Sequence, residues 1–291
     1  MLLPHPVFAR HETFHPRFGW LKKGFDAATR EPEIFSREDA PVVLGVGKNM
    51  VRSIRYWCSA FKVLSDDKPT DFGEKLLGDK GWDPFLEAPA SLWWLHWKLL
   101  EVPCNATAWY FTFYLFRQVE FASAELLDAL AKCVETQEIR IAESSLKKDV
   151  LCILRMYADG DTNKRTLIED SINCPFAELG IIDSGGKGRR YHFRVGIKNN
   201  LPPEIVVAAC LEFAGSVGEQ KTISISKLCY ETGSPGLAFK LPEGVICESI
   251  EAVASSFDAV RLSESGGLVQ LSFTKNPIQL AEAILNFYFY K

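Results

Sequence analysis

Ser36-Arg37-Glu38-Asp39-Ala40-Pro41-Val42-Val43-Leu44, then Gly45-Val46-Gly47, then Lys48-Asn49-Met50-Val51-Arg52-Ser53-Ile54-Arg55-Tyr56-Trp57-Cys58-Ser59-Ala60-Phe61 is the stretch that decides the fold class. A capping Ser with acidic residues behind it opens a helix, and Pro41 keeps that helix short. The two glycines make a tight turn, and a longer helix is predicted from Lys48 to Phe61. On it Val51, Ile54, Cys58 and Phe61 recur at spacings of three and four and form an apolar stripe. Lys48, Arg52, Arg55 and Ser59 fall on another face, with Asn49 beside them at the helix start.

Two helices joined by a glycine turn, the second basic at its beginning, is the layout of a major-groove reader. Arg pairs with guanine edges, Asn with adenine, and Lys neutralises phosphate. The alternative is a surface helix whose charges only solvate it.

Outward from this motif the expected class is mainly α with small β-hairpins (α+β). The part ahead of it is an arm, Met1 to Ala9, and a dense segment from Arg10 to Phe25. Behind it come a loop at Asp66 to Pro69, a segment Thr70 to Leu77 and a turn from Gly78 to Pro84. Helices are predicted around Leu92 to Leu100, Trp109 to Phe116, Glu125 to Lys132 and Ser145 to Tyr157. A domain boundary is placed near residue 140, giving a helix-turn-helix domain over 1–140 and a helical domain over 141–291. No internal repeat is visible in the sequence.

Past that boundary the period changes. Glu178 to Ile182, a turn from Asp183 to Gly188, and Arg190 to Val195 read as a hairpin, because Tyr191, Phe193 and Val195 alternate with His192 and Arg194. Lys187, Arg189 and Arg190 sit at its tip and Arg194 further along, so it is expected to lie along a phosphate backbone in the manner of a wing. A solvated turn is the plainer reading. Ile223 to Glu231, the turn Gly233 to Gly236, a helix from Glu243 to Ser255 and a hairpin over Val260 to Phe273 predict a second winged-helix-like part. It is acidic, and points to a protein partner. A final helix starts at Pro277.

Composition agrees with a globular protein. Of 291 residues 47% are hydrophobic and 24% charged, so disorder is not expected. The net charge is −4, but residues 1–64 hold ten Lys/Arg against six Asp/Glu, which leaves −8 for the remainder. A basic N-terminal part on an acidic body suits contact with phosphate through one face. The eight cysteines are scattered singly, without a C-x-x-C pair, as in buried thiols of a cytoplasmic protein. No signal peptide is read, and Ala106 to Phe116 is too short to span a bilayer, which makes it a buried helix and leaves no membrane partner.

Several motifs compete for attention. His11-Glu12-Thr13-Phe14-His15 matches H-E-x-x-H, but Pro16 follows at once and no third zinc ligand is evident, so a metalloprotease is a distant reading. Gly45-Val46-Gly47-Lys48 lacks the glycine at 42 and the Ser or Thr at 49 that a phosphate loop needs. Asn105-Ala106-Thr107 fits a glycosylation acceptor without meaning in a cytosolic chain. His96, among Trp93, Trp94 and Trp97, is expected to be a core-edge histidine.

Phe8 to Phe14, Arg17 to Lys22 and Leu44 to Trp57 together resemble the N-terminal signature of a bacterial family of domains of unknown function. Gly81-Trp82-Asp83-Pro84, Leu95-His96-Trp97, Cys174 to Gly180, Arg189 to Tyr191, Leu201 to Glu204 and Gly233 to Gly236 extend the likeness over nearly the whole chain. Genes of this family lie beside a cysteine desulfurase and a phosphosulfate-reductase-like protein. In single-stranded DNA phosphorothioation systems its member is described as the DNA-nicking subunit. The resemblance therefore implies a nickase that opens one strand for sulfur incorporation, with DNA, the desulfurase, an ATPase and the reductase-like protein as partners. A homodimer is a further expectation.

For such chemistry the residues offer one cluster, His11, Glu12, His15 and Arg17, followed by Lys22 and Lys23. It combines a base, a carboxylate and cations, with Mg²⁺ or Mn²⁺ as the expected divalent metal. Its plainer reading is a structural ion pair between Glu12 and Arg17. A non-catalytic DNA-binding adaptor, or a transcriptional-regulator-like winged-helix protein, is the alternative to a nicking endonuclease.

Overall fold

A computed structural model of the chain describes residue 3 and residues 6–158, 174–185, 190–219 and 221–291. It divides into two units, Met1–Phe193 and Arg194–Lys291.

The first unit begins with α1 (Trp20–Arg30), α2 (Ala40–Leu44) and α3 (Lys48–Ala60), followed by the small hairpin β1 (Leu64–Ser65) and β2 (Lys68–Pro69). The expected helix from Ser36 is shorter: a single 3₁₀ turn spans Ile34–Ser36, and α2 starts only at Ala40. Pro41 explains the start, since a proline in the first turn loses no hydrogen bond. Gly45 then takes φ 63°, a left-handed turn that a residue with a Cβ adopts at a cost. The stripe Val51, Ile54, Cys58 and Phe61 is buried as its spacing requires. At Gly24 a Cβ would stand 2.5 Å from Cys58 Sγ and 2.7 Å from Ile54 Cγ2. The absence of a side chain there is what lets α1 close on α3.

After α4 (Asp71–Leu77), helix α5 (Pro89–Leu100) is buried at every residue from Ala90 to Leu100. A helix apolar on all sides forms the centre of a core rather than one wall of it. His96 lies fully inside and shares a 2.7 Å hydrogen bond between Nδ1 and the Tyr157 hydroxyl. The Ala106–Phe116 segment is a buried helical stretch, α6 (Thr107–Tyr110) continued by a π-helical turn over Phe111–Leu115. All eight cysteines are free, and six are buried. Burial pushes the Cys104 thiol up to about 11, with the Ala106 backbone bond and Lys62 opposing it.

Next come β3 (Glu120–Ala122), α7 (Ser123–Thr136), α8 (Glu143–Tyr157) and the hairpin β4 (Ile182–Gly185) and β5 (Arg190–Phe193). β5 lies between β3 and β4, pairing Phe121 with Tyr191 and Glu120 with His192. The boundary expected near residue 140 therefore falls inside one unit. Strand pairing ties residues on either side of it, and α7 packs on α8 across the loop that contains it.

The second unit runs α9 (Pro203–Ser216), β6 (Thr222–Ser224), α10 (Ile225–Tyr230), α11 (Pro235–Phe239), α12 (Glu243–Ala254), β7 (Val260–Ser265), β8 (Leu268–Phe273) and α13 (Pro277–Phe289). α9 is buried along most of its length and packs on α12 and α13. β8 lies between β6 and β7.

The strand order β6-β8-β7 repeats β3-β5-β4. In both, the first strand runs directly into a helix, a second helix follows (after the short α11 in the later copy), and a hairpin returns to pair with the first strand. Phe121 and Leu126 occupy the buried positions that Ile223 and Leu228 occupy in the later copy. Along the second helix the buried residues Leu146, Asp149, Val150 and Ile153 match Ile246, Ser249, Ile250 and Val253. The repeat is one of backbone path and burial, which the residue identities conceal.

Candidate nucleic-acid interface

The start of α3 behind the Gly45–Gly47 turn presents Lys48, Asn49, Arg52 and Arg55 outward. They are not equally free. Arg55 makes a two-pronged ion pair with Asp67 at the β1–β2 tip, Nε to Oδ1 at 2.7 Å and Nη2 to Oδ2 at 2.6 Å. Such fork-to-carboxylate pairing holds the guanidinium in a fixed plane. Arg52 is 58% exposed and stands 3.7 Å from Glu12.

The H-E-x-x-H segment is a turn, with φ +51° at Glu12 and +69° at Thr13, so its two histidines do not share a helix face. His11 is fully buried, its Nε2 2.8 Å from Asp149 Oδ1 on α8. The same oxygen accepts the Ala9 N–H at 2.9 Å. Ser53 of α3 donates its hydroxyl to the His11 carbonyl at 3.0 Å, and Trp57 Nε1–H donates to the Phe14 carbonyl at 3.0 Å. The imidazole stacks on Trp57 and meets Trp109 edge-on. One loop thus pins α3 and α8 together. Burial raises the Asp149 carboxyl above its ordinary range, with the His11 bond opposing the shift. His11 Nδ1 and Asp149 Oδ2 are buried with no hydrogen-bond partner among the described residues.

Glu12 keeps about a third of its side chain exposed and pairs with Arg52. The expected Glu12–Arg17 pair does not form: Arg17 lies over the Phe14 and Trp20 rings at 5.6 and 5.4 Å. His15 is half-buried. Lys22 and Lys23 are on α1 and spend their ammonium groups on Asp26 with the Leu77 carbonyl, and on the Leu44 carbonyl. With Arg30 and Phe85 they line an open pocket of about 470 Å³. Of the expected cluster, then, Glu12 is the carboxylate beside an exposed cation, while His11 holds the loop.

The basic hairpin is the β4–β5 pair. It is built on β3 and follows α8 in the chain, while α3 carries its own hairpin, β1–β2, tipped by Asp66 and Asp67. Long-range pairing chose the partner, which local alternation cannot encode. Lys187 and Arg189 lie outside the described residues. Arg190 binds Glu120 at 2.5 Å and reaches Glu125 at 3.5 Å. Arg194 is exposed in the second unit, and burial together with its charge lowers the Lys198 amine to about 8.

Sequence reasoning missed Asp67, Ser53 and Asp149. Asp149 had a signal, an acid on the otherwise apolar stripe of α8 between Leu146 and Val150. Among the described residues, no three of His, Cys, Asp or Glu come together as metal ligands. The divalent ion expected for nicking finds no ready set of donors in them.

These features define an α+β protein with cationic helices packed on one clamped loop. The chain belongs to the family described as protein of unknown function (DUF4007), whose model matches residues 8–289. It is similar to two solved structures, one described as the magnesium ion-bound SspB crystal structure and the other as the SspB crystal structure. Their TM-scores are 0.92 and 0.91, each at 38% identity over 98% of this chain and 88% of that chain. No curated protein matches it. Among the described residues, no helix is long and apolar enough to cross a membrane.

Proposed function

We propose that this chain binds DNA within a phosphorothioation system and nicks one strand for sulfur incorporation. The observation that carries the reading is the outward row Lys48, Asn49 and Arg52 at the start of α3, behind a short helix and a left-handed glycine turn. That is the geometry by which a helix offers side chains to base edges and phosphates. The strand orders β3-β5-β4 and β6-β8-β7, each with a helix directly after the first strand and a further helix before its hairpin, support a winged-helix reading of those modules. Family membership and the likeness to SspB support the phosphorothioation setting.

Hydrolysis of a phosphodiester needs a group to take the proton of the attacking water and a cation on the charge that develops at phosphorus. On this reading Glu12 takes the proton and Arg52 neutralises the phosphoryl oxygen, while Asp149 fixes the loop through His11. Mg²⁺ is the cation in the similar SspB structure. The described donors do not form a metal site, so no step is routed through one.

Supercoiled plasmid incubated with Mg²⁺ or Mn²⁺ tests the chemistry, with open circle as the expected product. Glu12→Gln should abolish nicking while leaving thermal melting and duplex affinity in place. Nicking by Glu12→Gln at the wild-type rate removes Glu12 from the reaction. A second reading, a non-catalytic DNA-binding adaptor, is favoured by the lack of clustered metal ligands among the described residues. A gel shift without conversion of the plasmid selects it.

A further inference from the structure

We propose that the exposed face of α8 is a second duplex-DNA contact surface, formed by Ser144, Lys147, Lys148 and Arg155 around Leu151. The proposal rests on the reading that the chain binds DNA and adds a surface to it.

In its module α8 is the last α-helix among the described residues, with a 3₁₀ turn at Pro175–Leu179 ahead of the hairpin, and it holds the place from which a helix of this topology enters a groove. Its buried stripe, Leu146, Asp149, Val150 and Ile153, turns Ser144, Lys147, Lys148, Leu151 and Arg155 outward. Their spacing keeps them on one side of the helix over about three turns. Glu143, at the first turn, is the one exposed acid of α8.

Lys147, Lys148 and Arg155 make no ion pair with a described residue. Arg55 of α3, by contrast, is taken up by Asp67 and Arg190 by Glu120. Cations already engaged must give up a partner to meet phosphate, whereas these have no described partner to give up.

The molecule supplies its own control. α12 holds the equivalent place in the second unit and shares four buried positions with α8, but Glu248 stands where α8 has Lys148, and Glu251 where α8 has Leu151. One scaffold occurs twice with opposite charge, so the cations of α8 are not a requirement of the scaffold. Their occupant is polyanionic. Duplex DNA is the polyanion that meets a helix in this position, and α3 lies in the same unit, pinned to α8 through His11. Ser53, beside Arg52, and Asp149, beside Lys148, hold the two ends of that clamp.

The test is anisotropy titration of a synthetic duplex of about 30 base pairs at several salt concentrations. The full-length protein is compared with Lys147→Ala/Lys148→Ala/Arg155→Ala and with Arg52→Ala/Arg55→Ala. The α8 triple variant should bind about tenfold or more weakly. Its log–log salt dependence should be shallower by about 2 to 3 units. Its melting should not change, since all three side chains are exposed. Unchanged affinity and slope in the triple variant, with affinity lost in the α3 variant, overturn the α8 surface and leave the α3 reading intact. Affinity lost for the matching single strand but kept for the duplex also overturns it. No binding by the wild-type protein overturns both.

Discussion

α8 and α12 occupy the same place in two copies of one backbone path, and they carry opposite surfaces. Both bury residues at matching positions against their own small sheet, and both precede a hairpin that closes it. Burial dictates the four inward positions that the two helices share, with Cys152, Leu154, Met156 and Tyr157 buried besides on α8, and leaves the outward ones unconstrained by folding. Both begin with an exposed Glu, Glu143 and Glu243, but beyond it α8 fills those positions with Lys147, Lys148 and Arg155, α12 with Glu248 and Glu251. A scaffold used twice can thus serve two kinds of partner, because the charge that selects the partner costs the core nothing. α3 adds a third case. Its cations are exposed as well, yet Arg55 is tied to Asp67 and Arg52 approaches Glu12, so their charge is partly committed within the chain.

The largest effect is expected where the comparison depends on the clamp that α8 has and α12 lacks. Asp149→Ala leaves the His11 ring nitrogen and the Ala9 N–H without their acceptor inside the core. It should lower stability by about 3 kcal/mol, read from denaturant unfolding. A loss no greater than that of Ser249→Ala at the matching place on α12 would show that the clamp contributes little.

The pH dependence of the same site has a definite sign. Burial raises the folded-state carboxyl of Asp149, so the folded protein holds that proton more tightly than the unfolded chain. Its contribution is full below the unfolded value, about 3.9, and is lost as pH rises through the raised one. Asp149→Asn keeps an acceptor without the charge, so its melting temperature should gain on wild type between acid and neutral pH. A relative fall over that range would show that the carboxylate form is the one the fold favours.

Gly24→Ala probes the packing of α1 on α3, for which the second-unit modules have no counterpart. The added methyl meets Cys58 Sγ at 2.5 Å and Ile54 Cγ2 at 2.7 Å, and should cost about 1–3 kcal/mol. Cys58→Ala in the same chain should recover part of this, a coupling that a double-mutant cycle measures. Additive losses would mean that α1 moves aside instead.

Within α3, Arg52→Ala should weaken duplex binding by about 1–2 kcal/mol, and Arg55→Ala by less, since Asp67 already holds Arg55. Equal losses in titration at moderate salt would show that the Arg55–Asp67 pair opens on binding. The smallest effect belongs to α12: Glu248→Gln/Glu251→Gln should leave duplex affinity unchanged. A gain there would mean that the acidic face repels the same DNA and lies close to it in the complex.

Much of the α3 motif was legible in the sequence. The apolar spacing of Val51, Ile54, Cys58 and Phe61 predicts their burial, and the glycines at 45 and 47 predict the turn, because both are consequences of a few neighbouring residues. The hairpins at β4–β5 and β7–β8 were legible too, whereas Asp66 to Pro69 reads as a loop and lies in the β1–β2 hairpin. The site around Glu12 was not, since His11 to His15 spells a helical metal motif while positive φ values at Glu12 and Thr13 make it a turn. The partner of Glu12 was misjudged for the same reason: Arg17 turns to the Phe14 and Trp20 rings, and Arg52 arrives from another element.

The repeat of the strand–helix–helix–hairpin module shows where the division falls. By itself the sequence determined that the chain is mainly helical with small hairpins, which face of α3 is apolar, and where positive charge gathers at its start. Periodicity, capping and glycine act over a few residues and can be read from them. Tertiary structure alone decided that β5 pairs with β3, that the basic hairpin follows α8 rather than α3, and that Asp149 receives His11. Those choices join residues from about 70 to about 140 positions apart. They are selected by the free energy of the assembled core, in which many side-chain combinations satisfy the same burial.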